Sequence, residues 1–326
     1  MRLRTIHKWA GLTGGLLASL VGISGSLLLY REEIGRRLRN VPASVTCASP
    51  RLALEDLLAG ALHSSPGATP LLFSLPPRDG ALPEVLLLTT RGQLRLVAVN
   101  PCSGCVLGML SGGGPTWVDG VARLHTSFAL GGFGRWLVGA VALSLIFLAL
   151  SGIWLFLRGP RPFHAWLGLA SSLLLVLYAV SGVAFLFWRA PSPLRPVIVP
   201  SASVRVSLDR LAMSANGAVP SSTLSWIEFP ASADSPFAVR LREPWDQRLR
   251  GSTTVYLDPA TAQVLRVDRW RDLPFGLRLY HVFAAVHFGE LGGVKMRWLW
   301  FVAGILPLLL WLSAWPLRWR WSRPRL

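Results

Sequence analysis

Four of the six histidines stand at corresponding places in the two halves of the chain. The stretch HKWAGLTGGLLASLVGISG runs from His7 to Gly25, and HAWLGLASSLLLVLYAVSG runs from His164 to Gly182 in the same frame. Both open on His, carry Trp at the third place and Gly-Leu at the fifth and sixth, and close on Ser-Gly. A second correspondence joins His125, Arg135, Trp136, Ser151 and Arg158 to His287, Arg297, Trp298, Ser313 and Arg320, with identical intervals. An imidazole at the edge of an apolar helix serves as an interfacial anchor, a proton carrier or a metal ligand. Two imidazoles facing each other across a helical bundle suit a six-coordinate haem, each neutral ring supplying one axial nitrogen. Zinc would need two further ligands, and a proton relay would use carboxylates. No Cys, Asp or Glu lies inside the apolar stretches to serve either purpose.

The repeat sorts these residues into two expected pairs, His7 with His164 and His125 with His287. The metal expected there is haem iron held through His7, His164, His125 and His287. The haem is expected to be of the b type, up to two per chain and noncovalent, because no CxxCH attachment motif exists. His281 aligns with Asp119, so the repeat gives it no partner; it is an alternative ligand to His287 or a surface residue. His63 reads as a solvated residue at a helix end. Distance is the difficulty. His125 lies about 50 Å before Arg158 if the helix between them is straight at 1.5 Å per residue. A bend at Gly131-Gly132, macrocycles that reach inward, or a relay through Trp154 and Trp311 would shorten the gap.

The elements that must position these groups are four windows without charge: Trp9–Tyr30, Trp136–Leu157, Ala165–Trp188 and Trp298–Leu317. Each reaches the roughly 20 residues needed to cross a bilayer. The first ends at Tyr30-Arg31-Glu32-Glu33 rather than at a small-residue cleavage site, so it reads as an uncleaved anchor. Arg2, Arg4, Lys8, Arg158, Arg161, Arg318, Arg320, Arg323 and Arg325 gather on the short flanks without an acidic residue, which marks the cytoplasmic side. The net charge of +17 is explained largely by these flanks against anionic lipid. No zinc-finger, RNP or basic-helix pattern supports nucleic-acid binding.

The expected fold is a membrane α-helical protein. It has a first span with a cytoplasmic N-terminus (1–35), a periplasmic domain (36–120), and second and third spans (121–158 and 159–188). A second periplasmic domain (189–278), a fourth span (279–318) and a cytoplasmic tail (319–326) follow. The two external domains share a pattern: Leu96–Leu110 and Thr253–Val267 each show alternating apolar residues around an Asn/Asp-Pro turn, a β-hairpin signature. An apolar stretch at Leu52–Leu62 fits a short helix on the sheet. Small α+β domains, duplicated with their spans, would be related by an axis along the membrane normal. Cys47, Cys102 and Cys105 all fall in the first external domain, and read as one structural disulfide plus one spare thiol.

The His-x-Trp-x-Gly-Leu…Ser-Gly pattern, Leu124-His125-Thr126, His287-Phe288-Gly289-Glu290 and the hairpins at Val99-Asn100-Pro101 and Leu257-Asp258-Pro259 together resemble the PepSY-associated transmembrane family. The resemblance covers essentially the whole chain. It implies a multi-pass protein of the bacterial inner membrane, both termini cytoplasmic, bearing two periplasmic PepSY-like domains and linked to iron uptake. It further implies a haem-dependent oxidoreductase, a ferric-siderophore reductase that draws electrons from a cytoplasmic donor or membrane quinol. The implied partners are a ferric siderophore and membrane lipid. In that picture the external domains flank a haem, and Arg240, Arg242 and Arg248 attract an anionic complex. Two departures stand out: Ser313-Ala314 replaces Ser-Gly at the fourth span, and Ala260-Thr261-Ala262 lacks the turn glycine. A non-enzymatic membrane module binding a periplasmic partner is the alternative. A transporter is disfavoured, since Pro307 is the single proline deep within a span.

Overall fold

A computed structural model describes residues 2–48, 50–75, 81–111, 116–187, 206–232 and 235–315. The ends of two expected windows, Trp188 and Leu317, and the tail arginines Arg318, Arg320, Arg323 and Arg325 lie outside the described residues. The elements, in chain order, are α1 (Arg2–Leu29), α2 (Arg31–Leu38), α3 (Leu54–His63), β1 (Thr69–Ser74), β2 (Glu84–Leu88), β3 (Leu94–Val99), β4 (Val106–Ser111), α4 (Trp117–Ser127) and α5 (Gly131–Arg158). There follow α6 (Phe163–Phe187), α7 (Leu208–Ala218), β5 (Thr223–Glu228), β6 (Phe237–Arg242), β7 (Thr253–Leu257), β8 (Val264–Asp268), a 3-10 turn (Trp270–Asp272), α8 (Phe275–His287) and α9 (Gly293–Ser313). The chain divides into two compact units, a helical one (Met1–Arg31, Pro115–Ala190, Val282–Leu326) and a sheet unit (Glu32–Gly114, Pro191–His281).

In the helical unit, four helices are long and apolar enough to cross a membrane: Leu3–Leu29, Gly131–Arg158, Phe163–Leu186 and Gly293–Ser313. Their outward faces carry bare hydrocarbon. Leu143, Leu150 and Leu157 recur every two turns on α5 and are all exposed, while Val138, Val141 and Ser151 are buried. Such a surface is stable only in lipid. Small residues allow close approach of α1 to α9: a Cβ on Gly22 would meet the Gly304 carbonyl oxygen, and the Ser26 hydroxyl donates to the Phe301 carbonyl at 2.9 Å.

The expected second and fourth spans are each two helices. Phe128 and Ala129, at φ 46° and 60°, turn the chain between α4 and α5, and Gly289, Gly292 and Gly293 do so between α8 and α9 at φ 62°, 82° and 70°. A left-handed backbone ends a helix, so α4 packs back against α1 instead of prolonging α5. A capping box starts α4. Thr116 accepts from the Asp119 amide and the Asp119 carboxylate accepts from the Thr116 amide. The bonds from Thr116 hold the Asp119 carboxyl below its usual pKa.

In the sheet unit, the two expected small domains share one antiparallel sheet of eight strands, ordered β4-β3-β2-β1-β5-β6-β7-β8. Sequence patterns locate the hairpins but not the β1–β5 seam, which joins segments distant in the chain. The seam is centred on Phe73↔Ile227, flanked by Leu72↔Glu228 and Ser74↔Trp226. The helices on the sheet cap one another. Asp209 accepts from the amides of Leu54 and Glu55 at 2.8 and 3.1 Å, and Glu55 accepts from the Leu208 amide at 2.9 Å. Each acid thus satisfies amide donors at the N-terminus of the other helix. Leu57, Leu58, Leu208 and Leu211 pack on Phe73, Val97, Ile227, Val239 and Val255 to form the core.

The two Asn/Asp-Pro hairpins have the same wiring. Asn100 and Asp258 accept from the amides two residues on, Cys102 and Ala260, at 2.8 and 2.9 Å. Gly104 takes φ 73° in the first, and Ala262 takes φ 59° in the second. The missing glycine therefore leaves the turn type unchanged, with Ala262 in a backbone region disfavoured for a residue with a Cβ. Cys47 and Cys102 form a disulfide, and Cys105 is a free, exposed thiol.

Candidate functional site

The helical unit brings the four histidines together as two pairs. The ring centroids of His7 and His164 lie 6.5 Å apart with the planes at 78°. Those of His125 and His287 lie 5.9 Å apart at 48°. His281, two turns upstream of His287 on α8, belongs to the sheet unit and joins neither pair. His63 ends α3 and is exposed.

Each imidazole is held by Nδ1. His7 Nδ1 lies 2.7 Å from Ser151 Oγ, and that hydroxyl already donates to the Phe147 carbonyl at 2.6 Å. The serine proton being committed, His7 must be the donor. His164 Nδ1 faces the Leu310 carbonyl at 3.1 Å and Ser313 Oγ at 2.9 Å. His125 Nδ1 faces the Val21 carbonyl at 2.9 Å, with Ser24 Oγ at 3.4 Å. His287 Nδ1 faces Ser181 Oγ at 3.1 Å, and that hydroxyl donates to the Leu177 carbonyl at 2.7 Å. A carbonyl can only accept, so the neutral rings carry their proton on Nδ1. Nε2 is left as a bare lone pair on all four.

The Ser-Gly dipeptides now have a physical role. Ser24-Gly25 serves His125, Ser151-Gly152 serves His7, and Ser181-Gly182 serves His287. Ser151 and Ser181 anchor Nδ1 directly, Ser24 stands 3.4 Å from a ring held by the Val21 carbonyl, and the glycine leaves space for the ring edge. A Cβ on Gly25 would lie 2.7 Å from His125 Cε1, and on Gly182 or Gly152 it would lie 3.3 or 3.4 Å from the partner histidine's Cε1. The departure at Ser313-Ala314 keeps the anchoring serine for His164. Sequence reading found these dipeptides as markers of a repeat but did not connect them to a histidine. Ser24 repeats in register with His7, yet it contacts His125, on a helix far along the chain.

The two pairs sit at different levels. His125 meets α1 at Val21–Gly25, and His7 is on the same helix, so the levels differ by about 20 Å at 1.5 Å per residue. The return of α4 along α1 removes the 50 Å separation expected of a straight helix. Between the levels lies Trp311, whose indole donates to the Leu12 carbonyl at 3.0 Å and packs on Gly15. Trp154, the other tryptophan considered for a relay, is half exposed beneath the Arg158 guanidinium. At the level of His125 and His287, Tyr178 stands 6.0 Å from His287 and donates to the Trp300 carbonyl at 2.9 Å.

The donor set is narrow. Among the described residues no group of three or more His, Cys, Asp or Glu could hold a bare metal ion. Each pair offers two imidazole nitrogens. Two metal–nitrogen bonds of about 2 Å and two ring radii of about 1 Å place opposed imidazole centroids about 6 Å apart. Both pairs have that spacing.

These features define a class: a membrane protein of four candidate spanning helices that carries an antiparallel α+β unit. The chain belongs to the family described as PepSY-associated TM region, which matches residues 4–321. No curated protein matches the sequence.

Proposed function

We propose that this protein is a haem-bearing electron carrier of the bacterial inner membrane that reduces a ferric siderophore on the periplasmic side. The observation that carries the reading is the common state of the four histidines. Each has Nδ1–H anchored and Nε2 free, and they stand in two pairs with ring centroids 6.5 and 5.9 Å apart. Ligating histidines are oriented through their other ring nitrogen in this way. His7 and His164 would hold one b-type haem, and His125 and His287 the other. The bound haem supplies one-electron exchange between Fe(III) and Fe(II). The chain fixes the tautomer, orients the rings, excludes water with lipid-facing helices, and sets the levels about 20 Å apart. Electrons would come from a membrane quinol or a cytoplasmic reductant. One electron would pass to each ferric complex, and hard oxygen ligands would hold the resulting Fe(II) weakly.

The matching order of elements in the two halves supports an internal duplication, as do the seam centred on Phe73↔Ile227 and the reciprocal caps of α3 and α7. In this reading both termini are cytoplasmic and the sheet unit is periplasmic. The test is the absorption spectrum of protein purified from haem-replete cells, followed by anaerobic addition of ferric siderophore to the dithionite-reduced, desalted protein. Low-spin bis-imidazole bands and prompt reoxidation are expected. A colourless protein overturns the reading. A red protein that only a quinone reoxidises keeps the carrier and removes the siderophore.

A further inference from the structure

All three cysteines of the chain lie in the sheet unit, and the bond between Cys47 and Cys102 is only one of the pairings they allow. Cys102 and Cys105 stand three residues apart in the turn that joins β3 to β4. Cys102 is nevertheless bonded to Cys47, 55 residues away, and Cys105 is left as a free, exposed thiol. The second hairpin shows what the turn itself requires. The Asn100 amide donates to the Cys105 carbonyl at 2.8 Å, and the Asn100 carbonyl accepts from the Gly104 amide at 2.9 Å. Asp258 makes the same two bonds with Gln263 and Ala262, both at 3.0 Å. Ala260 and Gln263 there hold the places of Cys102 and Cys105, so the fold closes this turn without sulfur. The cysteines serve another purpose.

What the bond to Cys47 holds is a strap. Val97 and Val99 on β3 face the core under α3 and α7, so Ala98 between them faces the other side. There Val41 is buried against Leu82 and Ala98, with Val45, Leu107 and Leu110 packed beside them. Arg36 donates to the Pro42 carbonyl at 3.4 Å, and Ser44 forms a single bridge to Ala81. The disulfide fixes the far end of the strap, and both of its cysteines are half-buried rather than enclosed. We infer that Cys105 is the nucleophile of an internal thiol–disulfide exchange that moves the bond from Cys47–Cys102 to Cys102–Cys105 and releases the strap. The Cys105 thiolate gives its electron pair to Cys102 Sγ. The Cys102–Cys47 bond breaks, its pair leaves on Cys47 Sγ, and Cys47 takes up a proton as Cys105 gave one up. One bond forms and one breaks with no net oxidation, so neither oxidant nor reductant is consumed. A tether across the sheet unit becomes a small ring within one turn, and Leu107 and Leu110 are uncovered. The exchange goes beyond the haem reading and does not depend on it.

The test is a disulfide map of the full chain, with one copy per nanodisc so that bonds between copies cannot form. Protein equilibrated in mildly alkaline, thiol-free buffer is quenched in acid, denatured, alkylated and digested with pepsin, and the bridged and alkylated peptides are weighed. The wild type should give the Cys102–Cys105 bridge together with alkylated Cys47, alongside the resting Cys47–Cys102 form. Cys105→Ser keeps the resting bond and should lose the alkylated Cys47. Cys47→Ser should carry the Cys102–Cys105 bridge and lose the protection from hydrogen exchange that residues 44–46 have in the wild type. Four results would each overturn the inference. They are alkylation confined to Cys105 in the wild type, a Cys47–Cys105 bridge in place of Cys102–Cys105, alkylated Cys47 that persists in Cys105→Ser, and equal hydrogen exchange of the strap in Cys47→Ser and the wild type.

Discussion

Replacing Ser151 by Ala should damage one histidine pair far more than replacing Ser24 should damage the other. His7 Nδ1 has one acceptor, Ser151 Oγ at 2.7 Å. His125 Nδ1 has the Val21 carbonyl at 2.9 Å, with Ser24 Oγ a distant second at 3.4 Å. Ser151→Ala therefore leaves a partly buried N–H orphaned, at a cost of about 1–3 kcal/mol, or lets the ring rotate and lose its ligating orientation. Loss of such outer-shell partners typically lowers metal affinity about 10–100-fold, which is about 1.4–2.7 kcal/mol. Ser24→Ala should cost a few tenths of a kcal/mol, the scale on which changes away from a unique partner usually fall. The assay is titration of haem-depleted protein with haemin, followed at the Soret band, together with redox titration. The midpoint of the His7–His164 haem should rise in Ser151→Ala, because an imidazole that no longer donates from Nδ1 is a weaker base and stabilises Fe(III) less. Equal affinities for Ser151→Ala and Ser24→Ala, or an unmoved midpoint in Ser151→Ala, would refute the assignment of Nδ1 as anchor.

Three further outcomes follow from the same geometry. His125→Ala and His287→Ala should abolish one haem signal, and His7→Ala and His164→Ala the other, while the exposed His63→Ala keeps both; pyridine haemochrome counts per chain decide this. Gly25→Val puts a Cβ 2.7 Å from His125 Cε1 and should remove the haem proposed for His125 and His287 while sparing the one proposed for His7 and His164, whereas Gly217→Ala, with open space around it, should spare both in the same spectra. Thr116→Ala removes the α4 capping box and should destabilise the seating of His125 by about 1 kcal/mol, read as faster loss of the haem proposed for His125 and His287 on mild heating.

How much of this was legible in the sequence depends on the range of the interaction. The spans, hairpins and histidine pairs are written locally. Charge-free windows, alternation around Asn100-Pro101 and Asp258-Pro259, and repeated intervals can be read along the chain. The break before α5 was visible only as a need to bend near Gly131-Gly132; the turn actually begins at Phe128 and Ala129, which carry no composition signal. The β1–β5 seam was invisible, because Phe73 and Ile227 are ordinary strand residues whose partnership is set by the tertiary fold. The serine anchors lay between these extremes. Ser24, Ser151, Ser181 and Ser313 were seen as repeat markers, but no rule of spacing ties a serine to a histidine on another helix.

Those serines also explain how polar groups persist in an apolar bundle. A carboxylate at the same place would orient an imidazole as firmly, as it does around many metal ligands, but a charge at membrane depth costs about 2.5–3.5 kcal/mol even on the most lenient scale. A serine avoids that cost. Its proton goes to the carbonyl one turn back on its own helix, Phe147 for Ser151 and Leu177 for Ser181. Its oxygen then accepts from the histidine. Every donor in the motif is satisfied without a net charge. The one polar atom left over on each ring is Nε2, an acceptor, less costly to leave dry than a charged group and itself a Lewis base. Four such nitrogens, on rings that stand in two pairs inside an apolar bundle, form an arrangement whose remaining cost would be relieved if, as proposed, a metal centre took both lone pairs of a pair at once.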